Sequence, residues 1–171
     1  FTAKAAKCRT QRTLRESQKP VAGSRKTGGR RTFLNYNPPM KDVSAYLEEA
    51  IRRFVVKEKQ ARFLELSRNP KRYYDFQWEL LNDARNIDLK FIQTVERGRA
   101  SSGAIYRSLK DLGAGDEVFV ISFNDDFDGR VVGLHAVLDW LVGSGTGTLI
   151  SSLETAVGYY EGHEGWQYVL S

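Results

Sequence analysis

Between residues 41 and 66 the apolar side chains Val43, Leu47, Ala50, Ile51, Phe54 and Val55 recur three and four positions apart. That spacing makes one apolar stripe on an α-helix. Glu48, Glu49, Arg52, Arg53, Lys57, Glu58 and Lys59 cover much of the other side, where opposite charges three or four apart give modest support. A single helix over 41–66 is predicted, with Asp42 as its cap. Asn69-Pro70 then marks a break and restart, because asparagine caps helices and proline is accepted at the first helical position. The second helix runs to about Ala84, with Tyr73, Phe76, Gln77, Leu80 and Leu81 on one side and Tyr74 and Trp78 on an adjoining one. Together they form a short-linked helical pair.

Ile87, Leu89 and Phe91 alternate, yet Ile87, Phe91 and Val95 also fit a helical spacing; a helix starting near Asp88 is preferred. Gly98 and Ser101-Ser102 mark a boundary before a short helix over 104–112, ended by Gly113 and Gly115. Val118, Phe119, Val120 and Ile121 make residues 117–122 the clearest strand. A helix from about 131 to 142 packs with Leu134, Val137, Leu138 and Leu141. Residues 148–151 read as a strand, and 156–160 with 166–170 as a terminal hairpin. The class predicted is α+β: N-terminal helices over 41–96, then a strand-helix-strand-hairpin part over 104–171, forming a small mixed sheet in two or three layers. A right-handed crossover would make the first two strands of that part parallel.

Residues 1–40 break this pattern. Their apolar residues are sparse and aperiodic, and Pro20, Gly23, Gly28, Gly29, Pro38 and Pro39 interrupt any long element. The segment carries Lys4, Lys7, Arg9, Arg12, Arg15, Lys19, Arg25, Lys26, Arg30 and Arg31 against one acid, Glu16. Of the chain's formal charge of +5, this extended basic arm holds +9 and residues 41–171 hold −4. Such a composition is disordered alone in water and suits a polyanionic partner. Arg9, Arg12, Arg15, Arg25, Lys26, Arg30 and Arg31 are the candidate nucleic-acid contacts, the last four flanking a Gly28-Gly29 hinge that admits close backbone approach. Acidic protein surfaces and anionic lipid heads are alternatives, and the acid-poor, Arg- and Ser-containing composition is compatible with an organellar transit peptide.

The single cysteine, Cys8, excludes an internal disulfide or a cysteine-built zinc site. No stretch approaches the roughly 20 apolar residues of a membrane span, and none has the apolar core of a secretory signal. An intracellular setting follows as an expectation, either a mitochondrial or plastid interior or the cytoplasm.

Candidate chemistry is thin. Asn124, Asp126, Asp128 and Gly129 match the start of an EF-hand loop, but His135 stands where the bidentate Glu is required. An acidic turn, or a patch receiving a basic partner segment, accounts for the same residues. His135 and Asp139 lie four apart, a spacing that permits a hydrogen bond, and Ser151 and Ser152 lack a nucleophile-elbow context. The Gly143-to-Gly147 run follows a helix and enters a strand, the reverse of a phosphate loop. Glu161, His163 and Glu164 resemble ordinary hairpin-tip polarity. No cofactor and no metal are assigned. Tyr73, Tyr74 and Trp78 are too many aromatics for one buried helix face, which makes them the candidate protein interface. Tyr159, Tyr160, Trp166 and Tyr168 sit among acids with no basic residue after Arg130, a poor setting for phosphate.

The function expected is that of a non-catalytic structural subunit of a large ribonucleoprotein or nucleic-acid-processing assembly, with RNA or another nucleic acid and proteins as partners. A protein-only adaptor or assembly factor, soluble or attached to an organellar membrane complex, is the alternative; a small hydrolase ranks behind both.

Overall fold

The computed structural model describes residues 43–94 and 101–171. The basic arm with its seven candidate contacts, the Asp42 cap and the Gly98 boundary all lie outside the described residues. Helices α1 (Val43–Phe54), α2 (Lys57–Arg68) and α3 (Tyr73–Asn82) come first, followed by two short 3-10 turns and strand β1 (Ile92–Thr94). Helix α4 (Ser102–Asp111), strands β2 (Glu117–Ser122) and β3 (Arg130–Gly133), helix α5 (Leu134–Leu141) and strands β4 (Thr148–Ser152), β5 (Gly158–Glu161) and β6 (Gln167–Leu170) complete the order.

The six strands form one sheet in the order β1-β6-β5-β4-β2-β3, and every neighbouring pair is antiparallel. The class is α+β, with helices on both faces. Along β2, Phe119 and Ile121 pack with α1, α2 and α3, whereas Val118 and Val120 pack with α4 and α5. The alternation continues in Leu149 against Ile150, Tyr160 against Tyr159 and Leu170 against Val169. A strand buried on both sides has no polar face, which is why 118–121 reads as an unbroken apolar run.

Several details differ from the sequence expectation, among them the start of the second predicted helix, which is Tyr73 after a turn over 70–72, with Asn69 ending α2 rather than capping α3. The helix predicted over 41–66 is two helices, because Val55 leaves helical geometry to bridge Ile87 and the Val56 N–H donates to the Asn86 carbonyl at 2.9 Å. Gln60 Nε2 then donates to the freed Val55 carbonyl at 2.9 Å, closing the end of α1. Over its described part, 87–94, the preferred helix is instead a 3-10 turn and strand β1, which pairs with β6 through Ile92 and Leu170. Residues 131–133, expected to begin the following helix, instead belong to β3, which forms a hairpin with β2. The sheet is consequently antiparallel throughout rather than mixed: α5 connects β3 to β4, and β2 lies between those two strands.

Candidate functional site

Helix α3 buries Phe76, Gln77, Leu80 and Leu81 and points Tyr74 and Trp78 outward. Residues four apart are neighbours on a helix surface, and the two rings sit 6.2 Å apart, centroid to centroid. Phe123, just past the end of β2, lies 6.2 Å from the Tyr74 ring and 6.0 Å from Trp78. His163, in the turn between β5 and β6, completes the cluster at 6.5 Å from Trp78 and edge-on to Phe123 at 6.3 Å. Its backbone N–H donates to the Leu81 carbonyl at 3.2 Å, and its Nδ1 lies 3.2 Å from the Gly145 carbonyl oxygen. Tyr74 is 62% exposed and Trp78 50%, values that leave a large part of each ring open to a partner. Tyr74, Asp75, Trp78 and Glu79 line a shallow, open depression of about 330 Å³.

Tyr73 is placed differently from the other two candidate interface aromatics. It is half-buried against Phe76, and its hydroxyl donates to Asp128 Oδ1 at 3.3 Å. Burial and the neighbouring Asp128 charge push the phenol above its ordinary range. Asp128 also accepts the Ser122 N–H at 2.9 Å, and desolvation raises its carboxyl above the usual carboxylate range despite these hydrogen bonds. Asn124 Oδ1 accepts the Asp126 N–H at 3.0 Å, closing an Asx turn. The EF-hand-like residues are thus used as turn and tie: Asp128 turns inward while Asp125 and Asp126 face solvent. Among the described residues no group of three or more His, Cys, Asp and Glu side chains is arranged to hold a metal ion.

The glycine-rich loop after α5 encloses a carboxylate of the chain itself. Gly143 and Gly145 adopt φ of 75° and 69°, and their N–H groups donate to Glu161, which is 1% exposed. The Tyr159 hydroxyl and Gln167 Nε2 donate to the same carboxylate at 2.6 and 3.1 Å. Burial and this hydrogen bond push the Tyr159 phenol upward. Amides that a phosphate loop would offer to a ligand are here turned on Glu161.

His135 Nδ1 lies 3.5 Å from Asp139 Oδ2 on the exposed side of α5, with Tyr106 edge-on to the imidazole at 5.1 Å. Ser151 and Ser152 are buried in β4, and Ser151 Oγ donates to the Ser152 carbonyl at 3.3 Å. No hydrogen bond or ion pair among the described residues joins His135 or Asp139 to Ser151 or to the acidic turn. The aromatic cluster is therefore the most developed surface feature of the described body. Sequence reasoning found Tyr74 and Trp78 but missed Phe123 and His163; an aromatic directly before an acidic turn was the available signal for Phe123.

No protein-family model, curated protein or solved structure matches this chain.

Proposed function

We propose that this chain is a non-catalytic accessory subunit of a large ribonucleoprotein or nucleic-acid-processing assembly. Its folded body docks on protein through the Tyr74–Trp78 face, and its basic N-terminal segment contacts phosphate or an acidic surface. The observation that carries the docking half of this reading is the ring cluster of Tyr74, Trp78, Phe123 and His163, with Tyr74 and Trp78 open to solvent. Tryptophan and tyrosine with large open area are the side chains that dominate binding energy at protein interfaces. Charge assigns the other half of the role. Residues 111–171 hold ten acids and one basic residue, Arg130, which disfavours phosphate on that part of the body. Residues 41–110 carry fifteen basic side chains against ten acids and residues 1–40 carry ten against one, so contact with nucleic acid is assigned to Arg9, Arg12, Arg15, Arg25, Lys26, Arg30 and Arg31, where positive charge is least offset.

Density-gradient sedimentation of the native protein from its source cells, with and without nuclease, tests this reading. The expected result is co-migration with a large particle that nuclease dissolves and that a Tyr74→Ala/Trp78→Ala chain no longer joins. A nuclease-resistant particle would transfer the role to a protein-only adaptor, which the same ring cluster favours. A free monomer peak would overturn both.

A further inference from the structure

The ring cluster has a charged rim of one sign on the side of the acidic turn and the hairpin tip. Asp125 and Asp126 lie two and three positions after Phe123, and the Tyr73–Asp128 hydrogen bond ties their turn to the start of α3. Glu164 follows His163 at the hairpin tip. Asp125, Asp126 and Glu164 are exposed and form no ion pair among the described residues, in contrast to Asp75 and Glu79, which face Arg72 and Arg62. Open aromatic faces beside carboxylates that pair with no cation among the described residues attract cations twice over, through the ring quadrupole and through charge. The same carboxylates oppose phosphate, so a surface that would otherwise stack nucleic-acid bases is biased against them.

From this complementarity we infer that the face takes an arginine-bearing basic peptide segment of the docking partner. A planar guanidinium stacks on Trp78 or Tyr74 and still presents N–H groups in a fork to a carboxylate of the rim, which an ammonium does not match. A mainly apolar partner fits less well, because the depression is shallow and its lining alternates Tyr74 and Trp78 with Asp75 and Glu79. The inference rests on the docking role proposed above and names the chemistry of the docked partner.

Fluorescence anisotropy with the full chain and labelled nona-arginine, nona-lysine, nona-glutamate and oligothymidine probes tests it. Nona-arginine binds saturably and more tightly than nona-lysine, and nona-glutamate does not bind. Trp78→Ala weakens nona-arginine binding about tenfold and leaves oligothymidine binding, assigned to residues 1–40, unchanged. Asp125→Asn/Asp126→Asn alters only exposed side chains and weakens nona-arginine binding by a similar factor, so it carries the test if the tryptophan variant folds poorly. Nona-arginine binding that neither variant changes would overturn the inference. So would loss of oligothymidine binding on Trp78→Ala, which would make the face a base-stacking surface. If nona-arginine fails to bind while Tyr74→Ala/Trp78→Ala still leaves the particle, only the inferred chemistry falls and the docking role stands.

Discussion

Glu161 and Gly145 meet at the end of the sheet, where the glycine, at φ 69°, donates its N–H to the Glu161 Oε1 at 3.0 Å. Gly143 donates to Oε2 at 2.9 Å, so one buried carboxylate binds both ends of the turn leading from α5 into β4. A residue that is 1% exposed keeps its polar atoms because four donors converge on it: two amides, Tyr159 and Gln167. The loop and the end of β5 therefore form one structural unit, and Glu161 is required by the fold rather than by a ligand.

Glu161→Gln should be costly. The amide offers one oxygen where two faced donors, and its NH₂ must oppose at least one of the Gly143, Gly145, Tyr159 and Gln167 donors. Leaving a buried donor unsatisfied costs about 1–3 kcal/mol. Chemical denaturation should show a loss of that size at an unchanged m-value, and Gly145→Ala should lose about 1–2 kcal/mol through left-handed strain.

Two glycine-to-alanine changes should move stability in opposite directions. A Cβ on Gly158 would lie 2.5 Å from the Ile150 carbonyl oxygen and 3.0 Å from the Phe54 ring, with backbone unable to yield. Gly158→Ala should cost about 3 kcal/mol or more. A Cβ on Gly103 meets nothing within 4 Å, and the residue lies in α4. Gly103→Ala should raise stability by about 0.5–1 kcal/mol by restricting the unfolded chain and favouring helix. Thermal unfolding of the two variants beside the parent checks the pair.

Much of this architecture is readable along the chain and some of it is not, for identifiable reasons. Strand β2 announces itself because burial on both faces leaves Val118 to Ile121 uniformly apolar. Strand β3 is hidden because Val131 lies three positions before Leu134 and continues the helical spacing of α5, with only Gly133 between the two valines and the helix. The break between α1 and α2 is equally silent. Val55 continues the apolar stripe, and its departure depends on Ile87, a partner distant in sequence. At the candidate site, Tyr74 and Trp78 stand out as surplus aromatics on α3. Phe123 and His163 join them only through tertiary closure, the latter by its backbone bond to Leu81. Glu161 reads as hairpin-tip polarity until the glycine loop is folded over it.

Asp128 should give the stability profile a component that runs against ordinary acid unfolding. Its carboxyl is raised by burial, so the folded state holds that proton more tightly than the unfolded chain. Its stabilising contribution is complete below the unfolded value near 3.8 and is lost as pH rises through the higher folded value. Glu48, Asp83 and Asp88, lowered chiefly by their hydrogen bonds to Arg52, Arg85 and Lys90, act in the opposite sense and lose stability as pH falls. Asp128→Asn keeps an acceptor for the Ser122 N–H and removes the charge. The stability of the variant minus that of the parent should grow with pH from about 4 upward and then level off. Urea unfolding across pH 3–8 measures it, and a flat difference would contradict the assignment.

Separating docking from folding needs a matched pair on one helix. Trp78 is half exposed and Leu80 is fully buried. Leu80→Ala should cost about 2–5 kcal/mol, and Trp78→Ala should stay within about 1 kcal/mol, because little of its environment closes around a void. The tryptophan variant should nevertheless be the one that leaves the particle on the gradient. If it instead lost stability like the leucine variant, the ring cluster would be part of the core and its exposure would have no functional meaning.

Reversing Arg25, Lys26, Arg30 and Arg31 to glutamate tests the basic segment by its salt dependence rather than by affinity alone. Each neutralised phosphate releases condensed counterion, so the slope of log K against log salt counts the contacts, with about 0.7–0.9 per phosphate. Losing four contacts should flatten the slope for a single-stranded RNA probe by about 3, with weaker binding at low salt and convergence with the parent at high salt. The Tyr74→Ala/Trp78→Ala chain should keep the parent slope, because neither substitution removes a charge. A charge-reversed chain with an unaltered slope would remove these four residues from the nucleic-acid contact. An aromatic variant with a flattened slope would move phosphate contact onto the body and reverse the division of labour between the two parts of the chain.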